Sequence, residues 1–177
     1  EEFEAQQAEP APTEQKVDDR PQDKARRKRL DEEMAGITEP AEREAFLRKE
    51  LLTDPMPGLG NRRAYEEAAP KKLQGSIDAD SLKWVNDNMS PGSGDAMLTA
   101  IGQALKQLGV EAYHISGDEF MVQSDQESEI SAAMALVQEQ LKETVIVIER
   151  PDGTTVEKKG IDITFAIGET KDIFPKL

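Results

Sequence analysis

The sequence predicts an α+β domain in which a central, mainly antiparallel sheet is flanked by helices. Residues 95–108 and 130–141 place their large apolar side chains at the 3.6-residue spacing of amphipathic helices. Between and around them lie short apolar runs rich in Val, Ile and Phe, which are typical of strands. The predicted order βααββαβ, with a hairpin late in the chain, indicates a sheet covered by helices.

The remaining elements follow from local patterns. Besides the two amphipathic helices, we expect helices over residues 41–52, 61–73 and 82–86. Pro70 should kink or end the second of these, because proline lacks the amide hydrogen that a helix needs. Strands are expected over 75–79, 112–115, 120–123, 144–148 and 161–167. Pro151-Asp152-Gly153 predicts the turn of the late hairpin.

Composition excludes several functions. The 177 residues carry a formal net charge of −14, so a phosphate polymer or an anionic membrane would be repelled. The chain contains no cysteine, which excludes disulfides and thiolate metal sites and agrees with a cytoplasmic setting. No apolar run approaches the length of about 20 residues that a membrane-spanning helix needs. We therefore expect no nucleic-acid partner and no membrane segment in this chain.

Three regions are expected along the chain. Residues 1–40 are rich in proline and charge, and predict a disordered or loosely helical acidic extension. Within it, the basic run 24–29 is either a solvated helix face or a contact site for an anion. Residues 41–52 would form a linker helix, and residues 53–177 the main domain. Because the sequence begins without methionine, we expect a further module upstream, with a membrane anchor possible there.

Two pairs of acids stand out as candidate metal ligands. Asp78 and Asp80 end one predicted strand, whereas Asp118 and Glu119 lie in a tight turn between two others. Strands that finish in carboxylates at one edge of a sheet would make a Mg²⁺ site suited to phosphoryl transfer. The alternative is that Gly117-Asp118 merely shapes a β-turn, where this pair is common.

Four separated blocks together resemble the GGDEF domain, the catalytic module of bacterial diguanylate cyclases. In chain order they are TDPMPGLGNRRAY from Thr53, DADSLKWVND from Asp78 with Gly94-Asp95 after it, SGDEF from Ser116, and ITFAIG from Ile163. The third block is a degenerate form of the signature, with Ser in place of the first Gly. The resemblance implies a fold related to the palm of nucleotidyl cyclases and polymerases.

The resemblance also implies an activity: the Mg²⁺- or Mn²⁺-dependent condensation of two GTP molecules into cyclic di-GMP by two facing copies of the domain. By position in the motifs, Asp78, Asp118 and the carbonyl of Ala79 would hold the metal. Asp118 or Glu119 would help to activate the 3′-hydroxyl, and Lys83 would stabilise charge on the phosphates. An exposed helix lysine is the alternative reading of Lys83.

The substrate-binding residues implied by the resemblance are Ser81, Leu82, Asn86 and Asp95. The backbone at Ser81 and Leu82 would approach the phosphates at the start of a helix. Asn86 and Asp95 would read guanine, because an amide and a carboxylate can pair with its polar edge. Asp95 also suits a helix start, and both readings are compatible.

Several departures leave a second function open, namely a catalytically degenerate GGDEF domain that binds GTP or cyclic di-GMP as a regulatory module. Ser90-Pro91 replaces the family's Gly-His, Leu82 its Phe, and His114 its Arg. A lone histidine on a strand is more often packed than catalytic. The family's inhibitory R-x-x-D is absent at 107–110, and its last helix, which would follow residue 170, is apparently missing.

Overall fold

The computed structural model describes residues 21–170, the first three of them by their backbone alone. The predictions for residues 1–20 and for the segment after residue 170 lie outside this range. The chain divides into two compact units, of which the first ends at Phe46 and the second begins at Leu47. Among the described helices, none combines the length and apolar character that a bilayer crossing requires.

The first unit is built from charged helices. Helix α1 (Pro21–Ala35) carries the basic run, and α2 (Pro40–Leu52) begins within this unit. Within α1, Lys28 and Arg29 pair with Glu32 and Glu33 four residues later, at 3.8 and 3.4 Å. Such exposed pairs add a few tenths of a kcal/mol each. These two cations of the basic run therefore lie on a solvated helix face.

The second unit contains a five-stranded sheet with the order β1-β3-β4-β2-β7. All of its neighbouring strands are antiparallel except β1 and β3, which run parallel. The strands are β1 (Gly60–Asn61), β2 (Leu73–Ala79), β3 (Glu111–Ser116), β4 (Glu119–Ser124) and β7 (Ile163–Glu169). The α+β architecture with a mainly antiparallel sheet is thus confirmed.

Helices α3 (Arg62–Glu67), α4 (Leu82–Asn88), α5 (Ser93–Gln107) and α6 (Glu127–Glu143) complete the fold around this sheet. The two long helices were predicted from the spacing of their apolar residues, and those residues do face the core. Ile101, Leu105, Met134 and Leu141 are fully buried. They pack with Ile77 of β2 in a single hydrophobic cluster. Burying such a side chain stabilises the fold by about 1.5–3 kcal/mol.

The prediction of a helix over residues 61–73 was wrong in extent. Helix α3 stops at Glu67, and Ala68 already has extended backbone angles (φ −70°, ψ 145°). Proline excludes the helical conformation for the residue before it, so Pro70 ends the helix early and frees Leu73 to begin β2. The two-residue strand β1 was not predicted, because two residues carry no periodicity.

The first strand and the turn of the late hairpin were predicted correctly, but its second strand was not, and the hairpin stands apart from the main sheet. Strands β5 (Val145–Glu149) and β6 (Thr155–Lys159) form a separate two-stranded sheet. The turn is closed by the Arg150 amide, which donates to the Thr154 carbonyl at 2.8 Å. One face of β5 is buried through Ile146 and Ile148, whereas the other is exposed.

Candidate functional site

The acids that end β2 and begin β4 lie side by side at one edge of the sheet. Asp78 is the direct cross-strand partner of Glu119, and the Ala79 amide donates to the Asp118 carbonyl at 2.9 Å. Directly opposed residues of an antiparallel pair project from the same face of the sheet. The side chains of Asp78 and Glu119 therefore lie on the same face at this edge of the sheet, with the backbone of Asp118 beside them.

Two like charges opposed across a strand pair are unfavourable by a few tenths of a kcal/mol to about 1 kcal/mol. Asp78 and Asp118 are both exposed, and within residues 21–170 neither carboxylate has a hydrogen-bond or ion-pair partner. In the same range, no three acidic or histidine side chains converge closely enough to enclose an ion by themselves. The arrangement suits a cation held jointly by protein oxygens and a bound anion.

This donor set fits Mg²⁺. Magnesium prefers oxygen ligands and is usually held by one or two carboxylates together with the phosphates of a substrate, rather than by an all-protein cage. Two unpartnered carboxylates at a sheet edge satisfy the protein half of that requirement. Asp80 differs from these two residues because its carboxylate is already engaged: it accepts a hydrogen bond from the Thr164 hydroxyl at 3.0 Å.

Backbone geometry explains the residues of the turn between β3 and β4. Gly117 has a φ of +48°, the left-handed region in which glycine is favoured. Ser116 is not in that region, so the first position of the signature does not need a glycine for its backbone. Across the site, Ser81 does adopt a left-handed conformation (φ 66°) just before α4. Such strain in a non-glycine residue is often found at functional sites.

Helix α4 presents three predicted residues in different ways. Ser81 makes no side-chain cap, so the first amides of the helix have no capping side chain. Leu82 is buried in the core and supports the site from below. Lys83 is 87% exposed and pairs with Asp87 at 3.2 Å, one turn along its own helix. In this conformation Lys83 is a surface helix residue, although its long side chain is free to swing.

Asn86 and Asp95, predicted to read guanine, lie on α4 and α5, and Gly94 is where the Asn86 side chain meets α5. A Cβ atom added at Gly94 would fall 2.0 Å from the Asn86 Oδ1 and 3.1 Å from the Leu82 Cδ1. The Asn86 side chain therefore packs against the backbone of the residue that precedes Asp95. Only glycine at position 94 allows this contact.

The loop between α4 and α5 is tied to the separate hairpin. The Ser90 amide donates to the Glu149 carbonyl at 2.8 Å, and the Ser90 hydroxyl to the Arg150 carbonyl at 2.9 Å. The buried Ser93 hydroxyl accepts from the Glu149 amide at 3.1 Å. The sequence does not predict these hydrogen bonds, because the bonded residues lie 56 to 60 residues apart in the chain.

A second contact that the sequence did not reveal joins the first block to the signature. His114, on β3, lies with its Nδ1 2.8 Å from Asp54 Oδ2 and its Nε2 2.9 Å from the Gly117 carbonyl oxygen. The expectation that this histidine is packed is confirmed, since its side chain is 10% exposed. Its partners lie 60 residues before it and 3 residues after it, so no local pattern links the three.

The structure also contains a cavity of about 620 Å³ between the end of α5, the start of β3 and α6. Its lining includes Lys106, Val110 and Leu136, and none of the predicted site residues. It lies beside the segment where the family's inhibitory motif is absent. The acids predicted from the sequence to hold a metal lie at the sheet edge and not in this cavity.

Comparison with known proteins agrees with the geometry. The chain is 33% identical over 99 residues to the diguanylate cyclase DgcN of Escherichia coli (strain K12), covering 48% of this chain and 24% of that protein. It is 32% identical over 117 residues to the diguanylate cyclase DgcP of the same organism, covering 57% and 34%. No protein-family model matches the chain.

Solved structures give the fold independently. The coiled coil and GGDEF domain of DgcB from Caulobacter crescentus, in complex with c-di-GMP, superimposes with a TM-score of 0.58 at 17% identity. The match covers 85% of this chain and 80% of that one. The second unit has the fold of a GGDEF domain. Diguanylate cyclase SiaD from Pseudomonas aeruginosa, solved with its activator SiaC, matches this chain with a TM-score of 0.56 at 18% identity, covering 84% and 59% of the two chains.

The chain spans about a quarter of the length of the first of these curated relatives and about a third of the length of the second.

Proposed function

We propose that this GGDEF domain is a diguanylate cyclase that condenses two GTP molecules into cyclic di-GMP. The observation that carries the proposal is the pairing of Asp78 with Glu119 across β2 and β4, with Asp118 fixed beside them. Opposed, unpartnered acids weaken a sheet edge, so their presence is best explained by a cation and a phosphorylated substrate. The similarity to diguanylate cyclases supports the same activity.

The metal, Mg²⁺ or Mn²⁺, would be held by Asp78, Asp118 and the Ala79 carbonyl. When bound, it neutralises triphosphate charge and favours an in-line arrangement of the reacting oxygens. The backbone at Ser81 and Leu82, which has no side-chain cap, is available to phosphate oxygens at the start of α4. Lys83 would leave its exposed pair with Asp87 to contact the phosphates, at little cost because exposed ion pairs contribute less than about 1 kcal/mol.

Glu119 or Asp118 would accept the proton of the attacking 3′-hydroxyl. In the complete reaction each 3′-oxygen forms a bond to the α-phosphorus of the other GTP, and each GTP releases pyrophosphate. One domain holds one nucleotide, so two copies of the domain must face each other. Positioning and electrostatics would supply most of the rate enhancement, as in other phosphoryl transfers.

Base selection would rest on Asn86 and Asp95. The carboxylate accepts from the N1–H and 2-amino donors of guanine, and the amide both donates and accepts. Adenine lacks the 2-amino group and would leave an acceptor unpaired in the site. The contact between Asn86 and Gly94 supports a joint role, because Gly94 directly precedes Asp95 in α5.

A second candidate is a regulatory module that binds GTP or cyclic di-GMP without turnover. The observation that favours it is the position of Lys83, which is paired with Asp87 on the surface of α4. The departures from the family motifs at Ser116 and Ser90-Pro91 also favour this second candidate. Both candidates use the same nucleotide site, so they differ in catalysis and not in binding.

The deciding experiment incubates the purified chain with GTP and MgCl₂, and follows cyclic di-GMP and pyrophosphate by liquid chromatography. Asp118→Asn should lower turnover at least about 100-fold. The matched control is Asp152→Asn, which removes the same charge from an exposed turn where Asp152 bonds only Thr154. Control and wild type should turn over equally. GTP binding by a verified dimer without product would establish the regulatory module instead, and absence of binding would exclude both.

In the cell we propose a cytoplasmic domain that receives GTP and is brought into facing pairs by an upstream sensor or other module.

A further inference from the structure

The imidazole of His114 lies between two hydrogen-bond acceptors. Nδ1 is 2.8 Å from a carboxylate oxygen of Asp54, and Nε2 is 2.9 Å from the carbonyl oxygen of Gly117. Neither partner can donate a hydrogen. A neutral imidazole carries one N–H and can satisfy only one of the two, whereas the protonated ring satisfies both. The geometry therefore calls for the imidazolium form.

Within residues 21–170, Asp54 is the one charged group in contact with the ring. On the two neighbouring strands, the partners of His114 are Asn61 in β1 and Phe120 in β4, and both are uncharged. The Phe120 ring packs at a centroid distance of 4.8 Å. Asp54 is itself held in place, because its other carboxylate oxygen accepts the Met56 amide at 3.0 Å.

The contact with Gly117 acts on the predicted metal ligand next to it. The Gly117 carbonyl is bound by His114, and the following carbonyl, that of Asp118, is bound by the Ala79 amide at 2.9 Å. The two peptide planes on either side of the Asp118 Cα are thus each fixed by one hydrogen bond. The direction in which the Asp118 side chain leaves the backbone follows from those two planes.

We propose that His114 is a positioning residue that, when protonated, links Asp54 to the Gly117 carbonyl and so fixes Asp118 toward the metal and substrate. The consequence for function rests on the proposed cyclase activity, but the positioning itself does not. The ionic bond to Asp54, aided by the bond to Gly117, raises the pKa of His114 above its ordinary value despite burial. A raised pKa means that the link is complete below about pH 6.5 and is lost as pH rises through the folded-state pKa.

The test uses the full chain and amide hydrogen exchange measured by NMR. The Ala79 amide reports on the link, because its acceptor is the Asp118 carbonyl. Its protection factor should fall about tenfold, as for one lost hydrogen bond, when pH rises through the titration of the His114 ring. This ring is the only imidazole in the chain, so its NMR titration needs no assignment by mutation.

The comparison variant is His114→Arg, which keeps a charged double donor at every pH used. Its Ala79 protection should be independent of pH, whereas amides near Gln74, at the far end of β2, should not respond in either protein. Asp54→Asn is the second variant and should move both the ring titration and the Ala79 response to lower pH. The proposal is overturned if the protection factor of the Ala79 amide in the wild type does not change as the His114 ring titrates. It is also overturned if that protection factor changes equally with pH in His114→Arg.

The same proteins separate this proposal from the cyclase proposal. In an active enzyme, kcat should fall with the ring titration in the wild type but not in His114→Arg, while KM for GTP changes less than twofold because base contacts lie on other elements. If the wild type makes no cyclic di-GMP, the cyclase proposal fails, and the Ala79 measurement still decides the role of His114.

Discussion

The contact between Gly94 and Asn86 allows the proposed base-reading role of Asn86 to be disabled without damage to the fold. In a Gly94→Ala variant the new methyl group would lie 2.0 Å from the Asn86 Oδ1, whereas ordinary contact begins at 3.4 Å. The oxygen must therefore retreat by about 1.4 Å, which is enough to break a hydrogen bond to a base. The atoms that move are the Asn86 amide group and, by a few tenths of an ångström, the Leu82 Cδ1, and both are ends of side chains, so the backbone need not shift.

The expected magnitudes follow from this geometry. Loss of one base contact costs about 1–3 kcal/mol, so affinity for Mg·GTP should fall about 5-fold to 150-fold. Alanine is favoured over glycine in a helix by up to about 1 kcal/mol, so the melting temperature should stay unchanged or rise slightly. Calorimetric titration with GTP and thermal denaturation measure the two effects separately.

Gly102, in the same helix, provides the matched control. A Cβ atom there would lie 2.5 Å from the Pro57 Cβ and 2.7 Å from the Pro57 carbonyl oxygen. Because backbone cannot move aside cheaply, Gly102→Ala should destabilise the fold by about 1–3 kcal/mol while leaving GTP affinity intact at low temperature. Wild-type GTP affinity in Gly94→Ala, or equal destabilisation by the two variants, would refute the assignment of Asn86.

Three further outcomes are expected. Asp95→Asn should reduce the preference for GTP over ATP by about tenfold or more in competition binding, because a guanine donor pair loses its acceptor; an unchanged ratio would remove Asp95 from base reading. Lys83→Ala should lower kcat with no measurable loss of stability, since its pair with Asp87 is exposed; equal kcat would leave Lys83 a surface residue. Ser93→Ala should cost about 0.5–1.5 kcal/mol in denaturant unfolding, because the Glu149 amide loses its acceptor, and unfolding at the wild-type midpoint would contradict this.

The sequence predicted the features that depend on residue types in short windows. The amphipathic stripes of α5 and α6 and the acids at two strand ends need only a few consecutive residues to be recognised. The meeting of Asp78 with Glu119 was also predictable, because both flank short strands of one small sheet. In each case the local pattern and the final environment agree.

Features that depend on distant partners were not predictable in the same way. Asp54 and His114 meet across 60 residues, and nothing near either residue indicates the other. Helix α5 was predicted to begin at residue 95 but begins at Ser93. The Ser93 hydroxyl accepts a hydrogen bond from the Glu149 amide of β5, a partner that lies 56 residues away in the sequence. The separation of the hairpin from the main sheet is likewise decided by packing between distant parts of the chain. The sequence of β5 has the apolar, β-branched residues typical of any strand, so it does not show which sheet the strand joins.

The attachment of the hairpin to the α4–α5 loop has a consequence for how this domain can diverge. Ser90 bonds to the carbonyls of Glu149 and Arg150, and Ser93 bonds to the Glu149 amide, so every partner atom is main chain. Main-chain atoms are supplied by any amino acid. Positions 149 and 150 can therefore exchange side chains over evolutionary time without loosening the loop, whereas the two serines cannot.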